Sequence, residues 1–490
     1  MKWSKWELIV GMLILHDVLR VTRIVPLPLE EFRVFVYIFC AMYLLFDLFR
    51  RRRCLSFRYS ALVYIFLLIA VGSLIFNTMR FGYSFENLGL LAARIVCLLF
   101  LISPVYKETG ERAEAALASL YRINRLTVIF TFPIFFTGCI AFIFKIRAYV
   151  PFLTSARVRE VEGAAYNFLW FNRRMTIFSN SNAMATLAVF VIVASTVNLI
   201  LLKGKADCKA TISRAFYAAA IFCTYICFLG FASRGAIVGF VVGAGVWGFL
   251  IAVNALRHKS AIPRYGVSAL AALLTAAVLA GVIQVSSNLA DTTMRNYNFH
   301  QVFQDEEHDD WIGDVSNGRF EIWEVYGEII KDNWLAGVSI QGMKTLFPQY
   351  HEAVFEGREN ARPRFTGRFI HSHNSFMELT LYYGIFALAS ILAYIALMGL
   401  DFYKHCRSGY VHAIVPVMLA YFAAEMVNGM FRSGFFSYIF PWMYLGYLLA
   451  LFPKSSFSWY GEKWEAGYYW AKLPFIKSKQ IGLKDVSFHM

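Results

Sequence analysis

The sequence predicts an all-α, polytopic membrane protein of about twelve transmembrane helices, with a long outer loop between helices 9 and 10 that contains amphipathic helices. Of its 490 residues, 58% are hydrophobic and 16% are charged, and the mean hydropathy is +0.52. This composition excludes an ordinary soluble enzyme. Apolar runs long enough to cross about 30 Å of hydrocarbon recur from one end of the chain to the other.

The predicted spans follow these apolar runs in chain order. The first is the least regular, because Asp17 and Arg20 interrupt it; they stand three apart on one helix face, where they neutralise each other unless they have a functional role. No small-residue cleavage site follows, which indicates a retained anchor. The twelve spans are residues 6–24, 33–49, 59–77, 87–104, 126–144, 182–202, 215–232, 236–256, 265–287, 374–401, 411–430 and 433–452.

The orientation follows from the loops that hold clustered Lys and Arg. In a twelve-span chain these loops all fall on one side, which the positive-inside rule makes cytoplasmic, so both termini are expected in the cytoplasm. The net charge of +15 is therefore mostly a topological signal, and a nucleic-acid partner is not expected. The clusters are Lys2 with Lys5, Arg50 to Arg53, Lys107 to Arg125, Lys203 to Arg214, Arg257 to Arg264, Lys404 with Arg407, and the C-terminal tail.

This topology divides the chain into four parts. Residues 1–287 hold helices 1–9, residues 288–373 form the outer loop with the candidate catalytic elements, residues 374–453 hold helices 10–12, and residues 454–490 form a cytoplasmic tail. Helices 1–9 also enclose an outer segment, 145–181, with six basic residues against two Glu. Basic residues kept outside against the positive-inside bias indicate an anionic ligand.

Neither a disulfide framework nor a zinc site is predicted from the cysteines. All eight lie in predicted spans or cytoplasmic loops. Cys223 and Cys227 stand four apart, but they belong to an apolar helix without a nearby His, so we interpret them as packing residues.

The stretch "GFASRGAIVGFVVGAGVWG", residues 230–248, combines a packing signal with a candidate functional residue. Gly235, Gly239 and Gly243 recur every fourth position and predict close approach of another helix. Just before them, Arg234 lies in a tight outer turn. An arginine is costly at membrane depth unless it is paired or reaches the interface, so Arg234 is either an interfacial anchor or a ligand for an anion.

A second candidate arginine opens an amphipathic helix in "VSNGRFEIWEVYGEIIKDNW", residues 315–334. Apolar residues follow Arg319 at helical spacing and predict a helix that lies on the outer membrane surface. A helix start offers free N–H groups, so Arg319 would strengthen a phosphate site there. The alternative is an ion pair with Glu321, Glu324 or the acidic run 305–310.

Two histidines precede the tenth span in "HSHNSFMELTLYY". Ser375 and Glu378 fit a capping box, which starts the helix near residue 376 and leaves His373 at the outer membrane boundary. A neutral imidazole there can accept a proton from a sugar hydroxyl. The alternative is a histidine that only forms hydrogen bonds. His371 lies two residues further out.

Several other polar residues are candidates for substrate binding. Asn180 and Asn182 precede span six as helix caps or as sugar contacts, and Asn374 follows His373. Arg174, beside Arg173, and Arg432 are further outer arginines. The acidic run "DEEHDDW", residues 305–311, is either a solvated loop or a divalent-cation site, and we expect no metal site in the protein.

The order of these pieces resembles the O-antigen ligase and O-antigen polymerase family of bacterial inner-membrane glycosyltransferases. The resemblance covers about residues 165–400, and four short motifs in the expected order are more specific than any one alone. The outer loop and the aromatic tail, which we place on the cytoplasmic membrane surface, are longer than the family pattern. The motifs are "SNSNAMA", "SRGA", "SNGRFEIWEVYGEIIKDNWLAGVSIQG" and "HSHNSFMELTLYYGIFAL".

The resemblance implies transfer of a glycan from undecaprenyl diphosphate to an acceptor sugar at the periplasmic face of the inner membrane. Carried across, Arg234 and Arg319 hold the diphosphate and His373 is the base of an inverting displacement, with no metal and no cofactor. The implied partners are the undecaprenyl-diphosphate-linked oligosaccharide, an acceptor glycan (a growing repeat or lipid A-core), the bilayer and a chain-length regulator.

The residues leave several functions open. A polymerase is favoured over a ligase to lipid A-core because a bacterium can carry several polymerases but usually one ligase; a ligase that transfers to protein is a third variant. The alternative from another class is a transporter or flippase, in which charged or Gly/Pro-broken helices would converge at the bilayer midplane. A purely structural membrane protein is the remaining possibility.

Overall fold

The computed structural model describes residues 5–22, 29–50, 59–102, 112–143, 181–204, 207–231, 233–289, 319–356, 371–408 and 413–451. Every regular element in these ranges is helical. In chain order the helices are α1 (Lys5–Thr22), α2 (Leu29–Arg50), α3 (Ser60–Phe81), α4 (Phe85–Ile102), α5 (Arg112–Ile143), α6 (Ser181–Leu201), α7 (Cys208–Phe231), α8 (Arg234–Ala255), α9 (Ala261–Leu289), α10 (Arg319–Asn333), α11 (Ser339–Phe355), α12 (Ser375–Tyr383), α13 (Ile385–Ser408), α14 (Ile414–Gly429) and α15 (Ile439–Leu451), with a 3₁₀ turn at Phe435–Ser437.

The predicted all-helical polytopic fold is confirmed. Each predicted span overlaps one of these helices, except the tenth, which overlaps two. The agreement arises because each apolar run is long enough to form several helical turns. Within the described ranges, seven helices are long and apolar enough to cross a membrane, in α3, α5, α6, α7, α8, α9 and α13. The predicted number of twelve spans stays a prediction.

The small-residue stripe on α8 brings helices together as the sequence predicts. A Cβ atom placed on Gly239 would collide with the backbone oxygen of Ala424 on α14, and one on Gly243 would lie 2.7 Å from the oxygen of Ala420. Helix α14 therefore packs backbone to backbone against α8, which fixes the N-terminal half of α8 against the C-terminal half of α14.

Three shorter helices, α10, α11 and α12, pack against one another and against α3 and α4; we call them the outer module. Helix α10 begins at Arg319, which agrees with the prediction that Arg319 lies in its first turn, whereas the predicted position of this helix on the membrane surface stays a prediction. The buried residues on its apolar face contact protein, with the ring of Tyr326 5.0 Å from that of Phe347 on α11. The partner helices are distant in sequence, so the local pattern shows an amphipathic helix but not what covers it.

The predicted tenth span, 374–401, is divided in two. Helix α12 ends at Tyr383, and α13 begins at Ile385. Gly384 between them has a φ of 86°, a left-handed conformation that interrupts a helix and favours glycine. The sequence around Gly384 is uniformly apolar, so hydropathy predicts one continuous helix.

A turn at residues 334–338, here called the latch turn, forms hydrogen bonds with backbone groups on both sides of the break. The N–H of Val338 donates to the Leu381 oxygen at 2.6 Å, and the N–H of Ile385 donates to the Trp334 oxygen at 2.8 Å. From α3, the Ser73 hydroxyl donates to the Ala336 and Tyr382 oxygens, and the Asn77 amide donates to the Ala336 oxygen. Backbone groups left open by the break thus have partners, and the outer module is fixed to the bundle.

Candidate active site at the outer ends of α8, α10 and α12

Arg234 is the first residue of α8 and is exposed. The residue before it, Ser233, is buried, and its hydroxyl donates to the side-chain oxygen of Asn182 on α6 at 2.8 Å. This bond holds the start of α8 against the start of α6. Asn182, predicted to bind substrate or cap a helix, therefore helps to position the start of α8. Its contact with substrate stays a prediction.

The C-terminal end of α14 contacts the starts of both α6 and α8. The Asn428 amide donates to the Thr186 hydroxyl at 2.9 Å, which joins α14 to α6. A Cβ atom on Gly235 would lie 2.8 Å from Cβ of Phe431 and 3.2 Å from the Asn428 side-chain oxygen. Glycine at position 235 is thus required for the close contact that places Arg234 above this junction.

Arg319 lies in the first turn of α10, close enough to Arg234 for the two charges to interact. Burial of the guanidinium, and secondly the positive charge of Arg234, lower the pKa of Arg319 from its usual value. Among the described residues, no ion pair joins Arg319 to Glu321 or Glu324, whereas the acidic run 305–310, the other partner considered, lies outside the described ranges. Two neighbouring guanidinium groups repel each other, and an anion bound between them would relieve that repulsion.

The histidine segment, residues 371–374, precedes α12. The Asn374 side-chain oxygen accepts from the N–H groups of Phe376 at 3.0 Å and Met377 at 3.2 Å, so Asn374 is the N-cap. The predicted capping box of Ser375 and Glu378 is wrong. The Ser375 hydroxyl instead donates to the Arg432 backbone oxygen at 2.6 Å and accepts from the N–H of Phe435 at 2.9 Å.

His373 lies directly before this cap, with a φ of 50°. A left-handed conformation at a residue other than glycine costs on the order of 1 kcal/mol, so the surrounding contacts must hold it. The Ser372 hydroxyl donates to the Asn374 backbone oxygen at 3.0 Å. The indole N–H of Trp323, on α10, donates to the Ser372 backbone oxygen at 2.7 Å. The helix that carries Arg319 therefore also fixes the backbone beside His373.

The pKa values of the two imidazoles in this segment are shifted in opposite directions. Burial, and then the positive charge of Arg319, lower the pKa of His373 from its usual 6.5. The pKa of His371 is raised, chiefly by its interaction with Glu378, whose carboxylate lies 3.4 Å from Nδ1. The lowered pKa favours the neutral form of His373, which can accept a proton, whereas the raised pKa favours the protonated form of His371 relative to a free imidazole.

Arg432 lies near this segment but is held within the protein. Its guanidinium is 3.7 Å from the buried carboxylate of Glu425 and 4.7 Å from the centre of the Tyr438 ring, and its backbone oxygen holds Ser375. These contacts give Arg432 a structural role beside the histidine segment. Its predicted contact with substrate stays a prediction, as does that of Asn374.

Some predicted residues lie outside the described ranges: Arg174, Asn180 and the acidic run 305–311. Across the ranges that the structure does describe, no three His, Cys, Asp or Glu side chains cluster in a way that could hold a metal ion.

Sequence reasoning missed two residues that hold the site together. In the sequence, Trp323 belongs to the apolar pattern that follows Arg319, and Glu378 belongs to the predicted capping box. The signal for Trp323 is its indole N–H, since a partly buried tryptophan usually finds an acceptor. The signal for Glu378 is a carboxylate in an otherwise apolar helix, which requires a nearby cation.

Comparison with known protein families finds one match over this region. Residues 218–392 match the family model described as O-antigen ligase, and the recognition made from the sequence is confirmed for this segment. The matched segment contains Arg234, Arg319, His371 and His373, whereas Asn182 and Arg432 lie outside it. No curated protein matches the chain.

Proposed function

From the premise that residues 218–392 are an O-antigen ligase family segment, we propose that this protein transfers a glycan from an undecaprenyl-diphosphate carrier to an acceptor sugar at the periplasmic face of the inner membrane. The family match and the apolar helices support the broader statement that the chain is a multi-pass membrane glycosyltransferase of the O-antigen ligase and polymerase type. Donor, acceptor and membrane side are the proposal.

The main support for the proposal is the order in which the charged groups of Arg234, Arg319 and His373 influence one another. The cation of Arg234 acts on Arg319, and the cation of Arg319 acts on His373. A pair of guanidinium groups matches a diphosphate, and a neutral imidazole beside it matches a hydroxyl that must lose a proton. Arg234 begins α8, Arg319 begins α10 and His373 directly precedes the cap of α12, so three separate parts of the chain contribute to the proposed site.

In the proposed reaction, the acceptor oxygen attacks the anomeric carbon of the donor from the side opposite the diphosphate. His373 takes the hydroxyl proton as the new C–O bond forms. The bond between the anomeric carbon and the diphosphate oxygen breaks, and its electron pair stays on the diphosphate, whose growing charge faces Arg234 and Arg319. A single displacement of this kind inverts the anomeric configuration, and these arginines supply the charge stabilisation without a metal ion.

We propose polymerisation of repeat units as the reaction, with transfer to lipid A-core as the alternative. The matched family model is described as O-antigen ligase, and both reactions would use the same candidate residues. Purified protein is reconstituted with an undecaprenyl-diphosphate-linked repeat unit in chelator, with and without lipid A-core. A product ladder from donor alone supports the polymerase, and a shifted band that requires lipid A-core supports the ligase.

A transporter or flippase is the alternative from another class. The break at Gly384 is a feature that such a protein would share, but here the latch turn occupies it with backbone hydrogen bonds. The titratable candidates gather at the start of α12, away from the break, which supports surface chemistry. If no product forms from a verified native donor, the transport function is favoured instead.

We expect His373→Ala and Arg319→Ala each to lower transfer by about a hundredfold or more, because a positioned base or an oxyanion donor contributes that much. Lys331→Ala is the matched control for Arg319, since it removes an exposed cation at the other end of α10. His258→Ala, an exposed histidine at the opposite end of α8, is the control for His373. Normal transfer by both folded site variants would overturn the mechanism.

A further inference from the structure

A short stretch of the chain contacts the starts of both α8 and α12, the two helices that place Arg234 and His373. Residues 428–435, here called the bridge segment, run from the last residues of α14 into the 3₁₀ turn before α15. The two ends of this segment have different partners, and each partner lies beside one of the two candidate catalytic residues.

The first part of the bridge segment is fixed to α6 and α8. The buried amide of Asn428 donates to the buried hydroxyl of Thr186 on α6 at 2.9 Å. A Cβ atom on Gly235 would lie 3.2 Å from the side-chain oxygen of Asn428 and 2.8 Å from Cβ of Phe431. The residue directly before Gly235 is Arg234, so the bridge segment sets the position of the backbone that carries this guanidinium.

The second part of the bridge segment is fixed to α12. The buried hydroxyl of Ser375 donates to the backbone oxygen of Arg432 at 2.6 Å and accepts from the N–H of Phe435 at 2.9 Å. A Cβ atom on Gly429 would lie 3.6 Å from the same hydroxyl oxygen, so the last turn of α14 also lies against Ser375. Because Ser375 is two residues after His373, the bridge segment sets the position of the backbone beside this imidazole as well.

Contacts within the bundle hold the bridge segment in place between these two ends. The guanidinium of Arg432 lies 3.7 Å from the buried carboxylate of Glu425 on α14. The buried ring of Phe435 lies 5.8 Å from that of Phe422, and its backbone oxygen accepts from the indole of Trp442 on α15 at 3.2 Å. A segment with this many buried contacts opens less readily than an exposed loop, so a displacement at one end is transmitted to the other.

The relative position of the two sides of the site matters for the proposed displacement, because the base acts on the incoming hydroxyl while the arginines act on the leaving diphosphate. A misplacement of about 1 Å can lower a rate by about a hundredfold. We propose that Asn428 and Ser375 are positioning residues, which act through the bridge segment to hold Arg234 and His373 in the arrangement that transfer requires. This inference rests on the proposed transfer function, and neither side chain is assigned a contact with substrate.

The test releases each end of the bridge segment by removing one hydroxyl. Thr186→Val keeps the shape of the side chain but removes the oxygen that accepts from the Asn428 amide, and Ser375→Ala removes the partner of two backbone groups in the bridge segment. Initial rates are measured against the concentration of the undecaprenyl-diphosphate-linked repeat unit, with folding checked by thermal unfolding. We expect kcat to fall about tenfold in each variant and the KM for this donor to change by less than about twofold, because both arginines remain.

Two further variants separate positioning from local packing. Thr186→Ser loses a methyl group but keeps the hydroxyl, so its kcat should stay close to that of the wild-type protein. The double variant Thr186→Val/Ser375→Ala should lose no more than the worse single variant, because either substitution already releases the bridge segment. Two independent structural effects would instead multiply, to a loss of about a hundredfold.

Thr196→Val is the matched control on α6. Its hydroxyl, like that of Thr186, donates to the backbone oxygen four residues earlier at 2.8 Å, but it forms no hydrogen bond to α14 among the described residues. Ser390→Ala is the control for Ser375, since it removes a buried hydroxyl that donates within α13, to the Ala387 oxygen at 2.9 Å. Both controls should leave kcat unchanged.

Normal kcat in folded Thr186→Val and Ser375→Ala would overturn the inference. It would also be overturned if Thr186→Ser were less active than Thr186→Val, the order expected for a packing role, or if the losses multiplied in the double variant. Should Ser375→Ala not fold, the two variants of Thr186 decide the question. Absence of product from the wild-type protein would instead count against the proposed function, on which this inference rests.

Discussion

At the scale of single residues, the site shifts the pKa values of two histidines, two positions apart, in opposite directions. His371 meets a carboxylate on α12, whereas His373 is buried near a guanidinium on α10. Both imidazoles have the same usual pKa, so the difference comes entirely from neighbours supplied by the fold. The sequence motif identifies which histidine precedes the asparagine, but the bond from Trp323 to the Ser372 backbone oxygen forms only when α10 packs against this segment.

The lowered pKa of His373 predicts the pH dependence of transfer. His373 must be neutral to accept a proton, so activity is lost as pH falls through its pKa. Because burial and Arg319 place that pKa below 6.5, we expect the acidic limb of kcat/KM against pH to lie below pH 6.5.

Two substitutions separate the effect of Arg319 on this limb from its role in donor binding. Arg319→Lys keeps the cation and should keep the acidic limb in place. Arg319→Gln removes the cation and should move the limb of the residual activity toward higher pH. The profiles are measured by transfer under donor-limiting conditions between pH 5 and 8. A limb above pH 6.5 in the wild-type protein would contradict this account.

At the scale of elements, helix positions were predictable and helix interruptions were not. An apolar run determines a membrane helix locally, so predicted spans such as 182–202 agree with α6. The cap of α12 depends on a choice between Asn374 and Ser375, both good capping residues. Asn374 is the N-cap because the Ser375 hydroxyl is already hydrogen-bonded to the backbone of Arg432 and Phe435. These residues lie 57 and 60 positions later in the chain.

The break at Gly384 gives a prediction for α12 and the latch turn. A Cβ atom at this position would collide with the backbone of Leu335, and alanine is strained at a φ of 86°. We expect Gly384→Ala to lower the free energy of unfolding by about 1–3 kcal/mol or more and to reduce transfer, because the outer module would shift. Thermal unfolding in detergent and the transfer assay measure both effects.

Gly399→Ala is the matched control within the same predicted span. Gly399 lies in the interior of α13, and a Cβ atom there has no other atom within 4 Å among the described residues. Alanine in a helix interior is better than glycine by about 0.5–1 kcal/mol, so this variant should be neutral or slightly stabilised. Equal losses in the two variants would show that Gly384 has no special conformational role.

At the scale of the whole molecule, the basic loops predict which end of the bundle faces the cytoplasm. Cys208 begins α7 at the predicted cytoplasmic end and is exposed, and Lys331 lies at the end of α10 with its side chain 72% exposed. These two positions should therefore lie on opposite sides of the membrane.

Labelling with a membrane-impermeant maleimide tests this orientation. In a Cys54→Ser background, we expect Lys331→Cys to be labelled in intact spheroplasts and Cys208 only after lysis, since the other cysteines that the structure describes are buried. Cys208→Ser provides the background signal. Labelling of Cys208 in intact spheroplasts would reverse the proposed topology and place the arginines and histidines in the cytoplasm.

Helix α12, which follows the histidine segment, is held by parts of the chain that come both before and after it, and this determines when it can reach its final position during synthesis. Ser73 and Asn77 leave the ribosome long before residue 371, whereas Arg432 and Phe435 leave it afterwards. A nascent chain that has emerged only to residue 430 carries both candidate arginines and both histidines but lacks the partners of Ser375. We therefore expect activity to appear late in biogenesis, and a truncation that removes the last predicted span should insert most of the bundle without forming the complete site.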